Sequence, residues 1–290
     1  MNISNENEER GGNFIPKEVY QGKANYRVVA VNPDKAKLKE LNQFVPEDEP
    51  VYTGEREING INYKLANITV YLQSPSNFDI VDRVTYTIVD NVQESSSGKL
   101  AVINKYGSDT WLEKSHIDAK TMPSNMEWFV NEGIKPMKRG EKDLVNFIRA
   151  LRNFSKITMK STQEDKDKYI TEFDEADLQK MFKGDFKDIR NIIMSNPDAN
   201  VGFLLGARNA DSGKVYQDMY KEYPLRKYMV GNDSSNEYIV KAVKESQDNG
   251  RYANTIFNLD NLSYKKYDVN SSPKPDDTTF NEEDHDDLPF

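Results

Sequence analysis

Two stretches in which apolar side chains recur at every second residue flank one in which they recur every third or fourth, and that order limits the fold. Ile68, Val70 and Leu72 alternate with Thr69 and Tyr71. Val201, Phe203, Leu205 and Ala207 alternate with Gly202, Leu204, Gly206 and Arg208. A period of two marks a strand with one buried face. Between these stretches, Leu144, Phe147, Ile148, Leu151 and Phe154 form a single stripe at ~100° per residue, the pattern of an amphipathic helix. Strands and helices do not alternate one for one, so a doubly wound parallel sheet is not expected.

Other elements follow from local signals. Asn25–Val31 reads as a strand, and Asn32-Pro33 as the start of a short helix over Asp34–Leu41. Pro46–Glu57 is polar and holds two prolines, which predicts a loop. Ile61–Gln73 and Arg83–Val89 read as strands. Lys99–Asn104 and Thr110–Glu113 form a hairpin around Tyr106-Gly107-Ser108-Asp109. Asp174–Phe182 and Phe186–Met194 read as helices separated at Gly184. The acids Asp174, Glu175 and Asp177 serve as cap and dipole partners at the first of them. Asn200–Arg208 and Lys214–Tyr220 form a second hairpin. Tyr238–Lys244 reads as a helix and Thr255–Leu259 as a strand. The expected architecture is a mixed β protein with a helical insertion (α+β), built on an OB-like antiparallel five-stranded barrel. Its core domain covers residues 14–270, with the insertion at about 120–197. Residues 1–13 and 271–290 are expected to be disordered.

Composition removes many chemistries. The chain has no cysteine and two histidines, His116 and His285. Disulfides, zinc fingers, iron–sulfur ligation and thiol nucleophiles are therefore excluded. There is no Gly-rich loop ending in Gly-Lys-Ser/Thr, the hallmark of a nucleotide-hydrolysing motor. The adjacent Ser115, His116 and Asp118 cannot take up triad geometry. A binding protein is expected rather than an enzyme, with no cofactor and no metal. No run of 18 apolar residues occurs and the N-terminus is polar and acidic, which predicts a cytoplasmic protein away from membranes.

The formal net charge of −9 is concentrated. Residues 276–290 hold seven acids and no Lys or Arg; the remaining 275 residues carry 41 acids against 39 bases, a net −2. Like charges in a block repel, stay extended and often form interaction tails. Residues 133–160 carry eight bases against two acids, Glu141 and Asp143. A nearly neutral body with a basic segment and an acidic end points to an anionic ligand, for which the tail competes.

The last residues are Asp286-Asp287-Leu288-Pro289-Phe290. This string resembles the acidic C-terminal tip of bacterial and phage single-stranded DNA-binding proteins. The resemblance covers some 15 residues of 290. It implies a protein that coats single-stranded DNA without strong sequence preference during phage replication or recombination, in the host cytoplasm. It further implies that Asp286, Asp287, Leu288, Pro289 and Phe290 recruit replication and recombination proteins. A terminal Phe offers an apolar anchor and a carboxylate, and Pro289 lowers the ordering cost.

Such a role requires cations along the phosphates and aromatic faces under the bases. Tyr216 and Tyr220 share a predicted strand face with Lys214, opposite Arg208. Lys105 and Trp111 flank the first hairpin turn. Lys138 and Arg139 precede the helix that carries Lys142, Arg149, Arg152 and Lys156 on one flank. These residues make up the expected DNA surface. Trp128-Phe129 is expected in the core, and Gly202 and Gly206 are expected to leave room for bases. Homo-oligomers are compatible with this reading. Two other readings fit the same residues: a phage structural or assembly protein with an acidic docking tail, and a protein that anneals single strands during recombination.

Overall fold

The computed structural model describes residues 18–268, other than 75–76, 127, 155–156, 169–173, 196–199 and 211–213. In chain order the elements are β1 (Tyr20–Val31), α1 (Lys35–Glu40), β2 (Thr53–Ile58), β3 (Ile61–Ser74), β4 (Asn77–Val92), β5 (Leu100–Ile103) and β6 (Asp109–Leu112). Then come α2 (Lys114–Asp118), β7 (Lys135–Pro136), β8 (Lys138–Arg139), α3 (Glu141–Leu151), α4 (Gln163–Lys168), α5 (Glu175–Met181) and α6 (Lys187–Met194). The last part comprises β9 (Asn200–Asn209), β10 (Val215–Leu225), α7 (Lys227–Val230), α8 (Asn236–Asp248), β11 (Thr255–Phe257) and β12 (Lys265–Lys266).

The main sheet runs β10-β9-β1-β3-β4-β8 and curls into an open half-barrel. All its pairings are antiparallel, with β2 added to β3, β11 to β9 and β12 to β1. The long β1 is shared: Gly22–Arg27 pairs with β9, and Arg27–Val31 pairs with β3 across a bulge between Val28 and Ala30. A bulge sharpens local twist and bends the strand, which suits a curling sheet. The expected α+β architecture dominated by antiparallel sheet is present, and the five-stranded closed barrel is corrected in strand number and closure. Six strands lie on the path, and among the described residues its ends do not pair.

Helix α3 occupies the opening. Leu144, Phe147, Ile148 and Leu151 are buried in one cluster with Ile68, Val70, Leu72, Tyr86 and Phe203 of the strands. The Phe147 ring lies 5.1 Å from Tyr86 and 6.4 Å from Phe203. The helix fills the space that facing strands would fill in a closed barrel. Across the same gap, Lys221 Nζ donates to Thr85 O at 2.8 Å, joining β10 to β4. Gly140 starts α3 with φ +83, and a Cβ there would lie 2.0 Å from Thr87 O, so only glycine lets the helix begin against β4.

A second layer covers the outer face of β9 and β10. Leu204, Tyr220, Leu225, Met229, Ile239, Val243, Phe257 and Leu262 form a separate buried cluster beneath α7, α8 and β11. Lys23 of β1 is almost wholly buried there. Its Nζ donates to Asn232 O at 2.9 Å, Asn236 Oδ1 at 2.7 Å and Met229 O at 3.2 Å. A second, small sheet, β6-β5-β7, places Ala101 and Ile103 in the main core.

Several sequence expectations change. Pro46–Glu57 is not all loop, because Thr53–Ile58 pairs with β3 through a tight Asn59-Gly60 turn with φ +52 and +76. Asp34, rather than Asn32, caps α1 by accepting from Lys37 N. Thr69 and Tyr71 do not face water: Tyr71 is buried with Ala30 and Leu38 of α1. The region 120–197 is not purely helical, since β7 and β8 precede α3. The helices α5 and α6 fall where their patterns place them, and Asp174 and Asp177 form a reciprocal capping box. Among the described residues, no helix is long and apolar enough to cross a membrane.

Candidate functional site

The basic segment is of mixed exposure: among its described cations Arg149 is buried, Lys135, Lys138 and Arg152 are half-buried, and Arg139, Lys142 and Lys160 are exposed. Arg149 is buried, and its guanidinium donates to Gly107 O at 3.2 Å, bracing the β5–β6 turn from α3. Lys138 is held between Asp90 at 2.7 Å and Glu175 at 3.4 Å. Lys142 is exposed and paired with Asp109 at 2.8 Å, and Lys105 with Glu132 at 2.5 Å. Arg139 is exposed and Arg152 half-buried. Lys156 lies outside the described residues, as do Asp286, Asp287, Leu288, Pro289 and Phe290. The expected basic flank of this helix is therefore corrected at Arg149, which turns inward, while Lys142 stays at the surface. The helix is wrapped on most sides because it plugs the half-barrel, and two of its cations are engaged, Arg149 by the Gly107 carbonyl and Lys142 by the Asp109 carboxylate.

Other corrections concern the aromatic and glycine positions. Trp128 is 44% exposed while its neighbour Phe129 is buried, and Trp111 is 38% exposed at the edge of the small sheet. Tyr220 is buried, and its hydroxyl is bonded to Ala242 O and Ser246 Oγ at 2.9 Å. The strand face carrying Gly202 and Gly206 is not open to a ligand. A Cβ on Gly206 would lie 2.6 Å from Thr255 Cγ2, and one on Gly202 2.3 Å from Val230 Cγ2. The glycines serve close packing of the second layer.

One predicted group does assemble. Tyr216 pairs directly with Arg208, and the Arg208 guanidinium lies 5.3 Å from the centre of the Tyr216 ring. Arg208 and Lys214 are exposed and Tyr216 is half-buried. This is the end of the β9–β10 hairpin, where β11 pairs along the other side of β9 with Thr255 opposite Arg208. Lys105, Trp111 and Lys142 belong to the small sheet and α3 instead.

The same end of the sheet holds an aromatic pair that the strand periodicities do not suggest. The rings of Tyr20 and Tyr264 are stacked, 5.1 Å apart and 6° from parallel. The segment carrying Tyr264 is tightly placed. Lys23 N donates to Leu262 O at 2.8 Å, and Ser263 N to Asn261 Oδ1 at 3.0 Å. Gly22 has φ +98, and a Cβ there would lie 2.0 Å from Ser263 O, so glycine is what admits this segment against β1. Glu18 accepts from the Tyr20 hydroxyl and from Lys266 Nζ, both at 2.6 Å. Those hydrogen bonds hold the Glu18 carboxyl below its ordinary range, Lys266 first. The bond to Glu18 pushes the Tyr20 hydroxyl up to about 12.

The two groups are mechanically linked. Tyr20 exchanges hydrogen bonds with the Gln217 side chain, which donates to Tyr20 O at 3.0 Å and accepts from Tyr20 N at 2.9 Å. Val19, Ala207 and Tyr267 pack together between them. A readable signal existed in Tyr264-Lys265-Lys266-Tyr267, a dense mixture of aromatic and basic residues close to the start of the acidic segment.

A cleft of about 540 Å³ lies elsewhere, between the end of β1, the loop before β2 and α6. Val29, Val51, Tyr52 and Phe186 line it with Arg190, whose Nε and Nη2 donate to Val31 O and Asn32 O. Among the described residues, no cluster of three or more His, Asp or Glu is arranged to hold a metal. Compared with known proteins, the chain matches no family model, no curated protein and no solved structure.

Proposed function

We propose that this chain is a non-enzymatic single-stranded DNA-binding protein. It coats the strand without strong sequence preference during phage replication or recombination, and it recruits replication and recombination proteins through Asp286–Phe290. The observation that carries this reading is the Arg208 guanidinium over the Tyr216 ring, beside exposed Lys214 on one strand end. A guanidinium plane and a tyrosine face both stack bases whatever their identity, and the two cations meet phosphates. The seven acids of residues 276–290 supply the opposing charge. They repel phosphate and occupy basic surfaces when no strand is present.

The test is fluorescence anisotropy with labelled oligo-dT, comparing residues 1–290 with 1–275 at low and moderate salt. The expected result is salt-sensitive binding by both forms, tighter in the shorter one. Absence of binding by either form overturns the reading.

A further inference from the structure

The geometry points to the Tyr20–Tyr264 stack as a preformed platform for one unpaired nucleobase, taken on the outer face of Tyr264, with Lys265 contacting the adjacent phosphate. This site rests on the single-strand reading above and lies outside the Arg208–Tyr216 group on which that reading was built.

Four observations support it. The two rings are already parallel and in stacking contact, so a third planar ring extends an existing column rather than creating one. Tyr264 is 40% exposed, so a base in solution can reach the residue that ends the column. The platform is rigid where it matters: the close approach at Gly22, the bond from Lys23 N to Leu262 O and the Asn261–Ser263 turn fix the chain that delivers Tyr264. A ring held in place before binding loses little freedom on binding. Finally, Lys265 is the next residue and is exposed, whereas Lys266 is engaged by Glu18 at 2.6 Å. One cation is thus available and the other braces Tyr20 through Glu18.

A base on an aromatic ring is recognised by its π face and not by its hydrogen-bonding edge, so the ligand class is any unpaired base, with no requirement for a particular one. Duplex DNA cannot present such a face without unstacking.

The experiment compares Tyr264→Ala, Tyr264→Phe and the unaltered full chain on two probes. One is oligo-dT and the other is an abasic oligomer of equal length and charge. Tyr264→Ala is expected to weaken oligo-dT binding roughly 5- to 100-fold and to leave the abasic probe unchanged, while Tyr264→Phe retains most of the affinity. Equal loss on both probes, or no loss on either, overturns the platform. Oligo-dT carrying 5-iodouracil gives an independent reading without any variant, with the photocrosslink expected on the peptide containing Tyr264. A crosslink confined to other peptides also overturns it. If the unaltered chain binds neither probe, the single-strand reading itself fails. If it binds oligo-dT and Tyr264→Ala matches it, only the platform fails.

Discussion

Lys23 Nζ lies 2.7 Å from Asn236 Oδ1, a bond across 213 residues that fastens the C-terminal helices to the first strand. The ammonium also serves Asn232 O and Met229 O, the latter in α7, so one buried cation satisfies acceptors from the end of α7 to the start of α8. Replacing it with methionine keeps the stem and orphans the acceptors. Lys23→Met is expected to cost about 2–3 kcal/mol, since bonds to charged groups and unsatisfied buried carbonyls are both expensive. Thermal unfolding would move down by roughly 4–10 °C. An unchanged midpoint would show that water replaces the ammonium.

Adjacent residues 128 and 129 have opposite surroundings, with their rings edge-on at 5.6 Å. Phe129 is buried and Trp128 is not. Phe129→Ala is expected to destabilise by about 3–5 kcal/mol, the usual range for a deleted core aromatic. Trp128→Ala should cost less, about 1 kcal/mol, the scale of an aromatic pair at a half-exposed position. Chemical denaturation of the two variants separates these outcomes, and comparable losses would place Trp128 in the core after all.

The alternation in β3 and β9 was legible, and Ile68, Val70, Leu72, Val201, Phe203 and Leu205 all lie in the main core. Alternation says that a strand has two faces and not that one is wet. Tyr71 and Leu204 sit on the faces read as outward, yet α1 and α8 cover them. The covering helices arrive from distant segments, so nothing local announces them. The same is true of α3. Its stripe was correct, but its basic residues could not reveal that Arg149 would turn inward to Gly107. The β2–β3 hairpin was different. Asn59-Gly60 is a direct signal for a two-residue turn, and the preceding polar, proline-containing run concealed it. Of the site, Arg208 facing Tyr216 followed from hairpin register. Tyr20 meeting Tyr264 did not, because that contact depends on Gly22 admitting a segment some 240 residues away.

The end of α3 near β10 carries a pH-sensitive group. Burial holds the Asp143 carboxyl above its ordinary range, and Glu222 adds to the effect, while Lys221, Arg251 and Lys142 oppose it. The folded protein therefore holds this proton more tightly than the unfolded chain. Asp143 contributes stability below the unfolded carboxylate range, and that contribution is lost as pH rises through the folded value. Asp143→Asn keeps the shape and removes the charge. The variant is expected to melt a few degrees above the unaltered protein at neutral pH, with the two curves converging as the pH falls. A gap that does not change with pH would show that the gain has another origin.

Salt dependence gives the sharpest test of the Arg208–Lys214 end. Each phosphate contact to a single strand contributes about −0.7 to the slope of log K against log salt. If Arg208 and Lys214 each meet one phosphate, Arg208→Ala and Lys214→Ala should each flatten that slope by roughly 0.7, and the double variant by roughly 1.4. Arg208 also stacks on Tyr216, so its variant should lose further affinity at a salt concentration where the electrostatic part is small. Lys214 is exposed and has no such second role, so its variant should converge with the unaltered protein at high salt. The two cations are thus separable by one titration. Loss of affinity without any change of slope would mean that neither touches a phosphate and that the exposed strand end acts through packing alone.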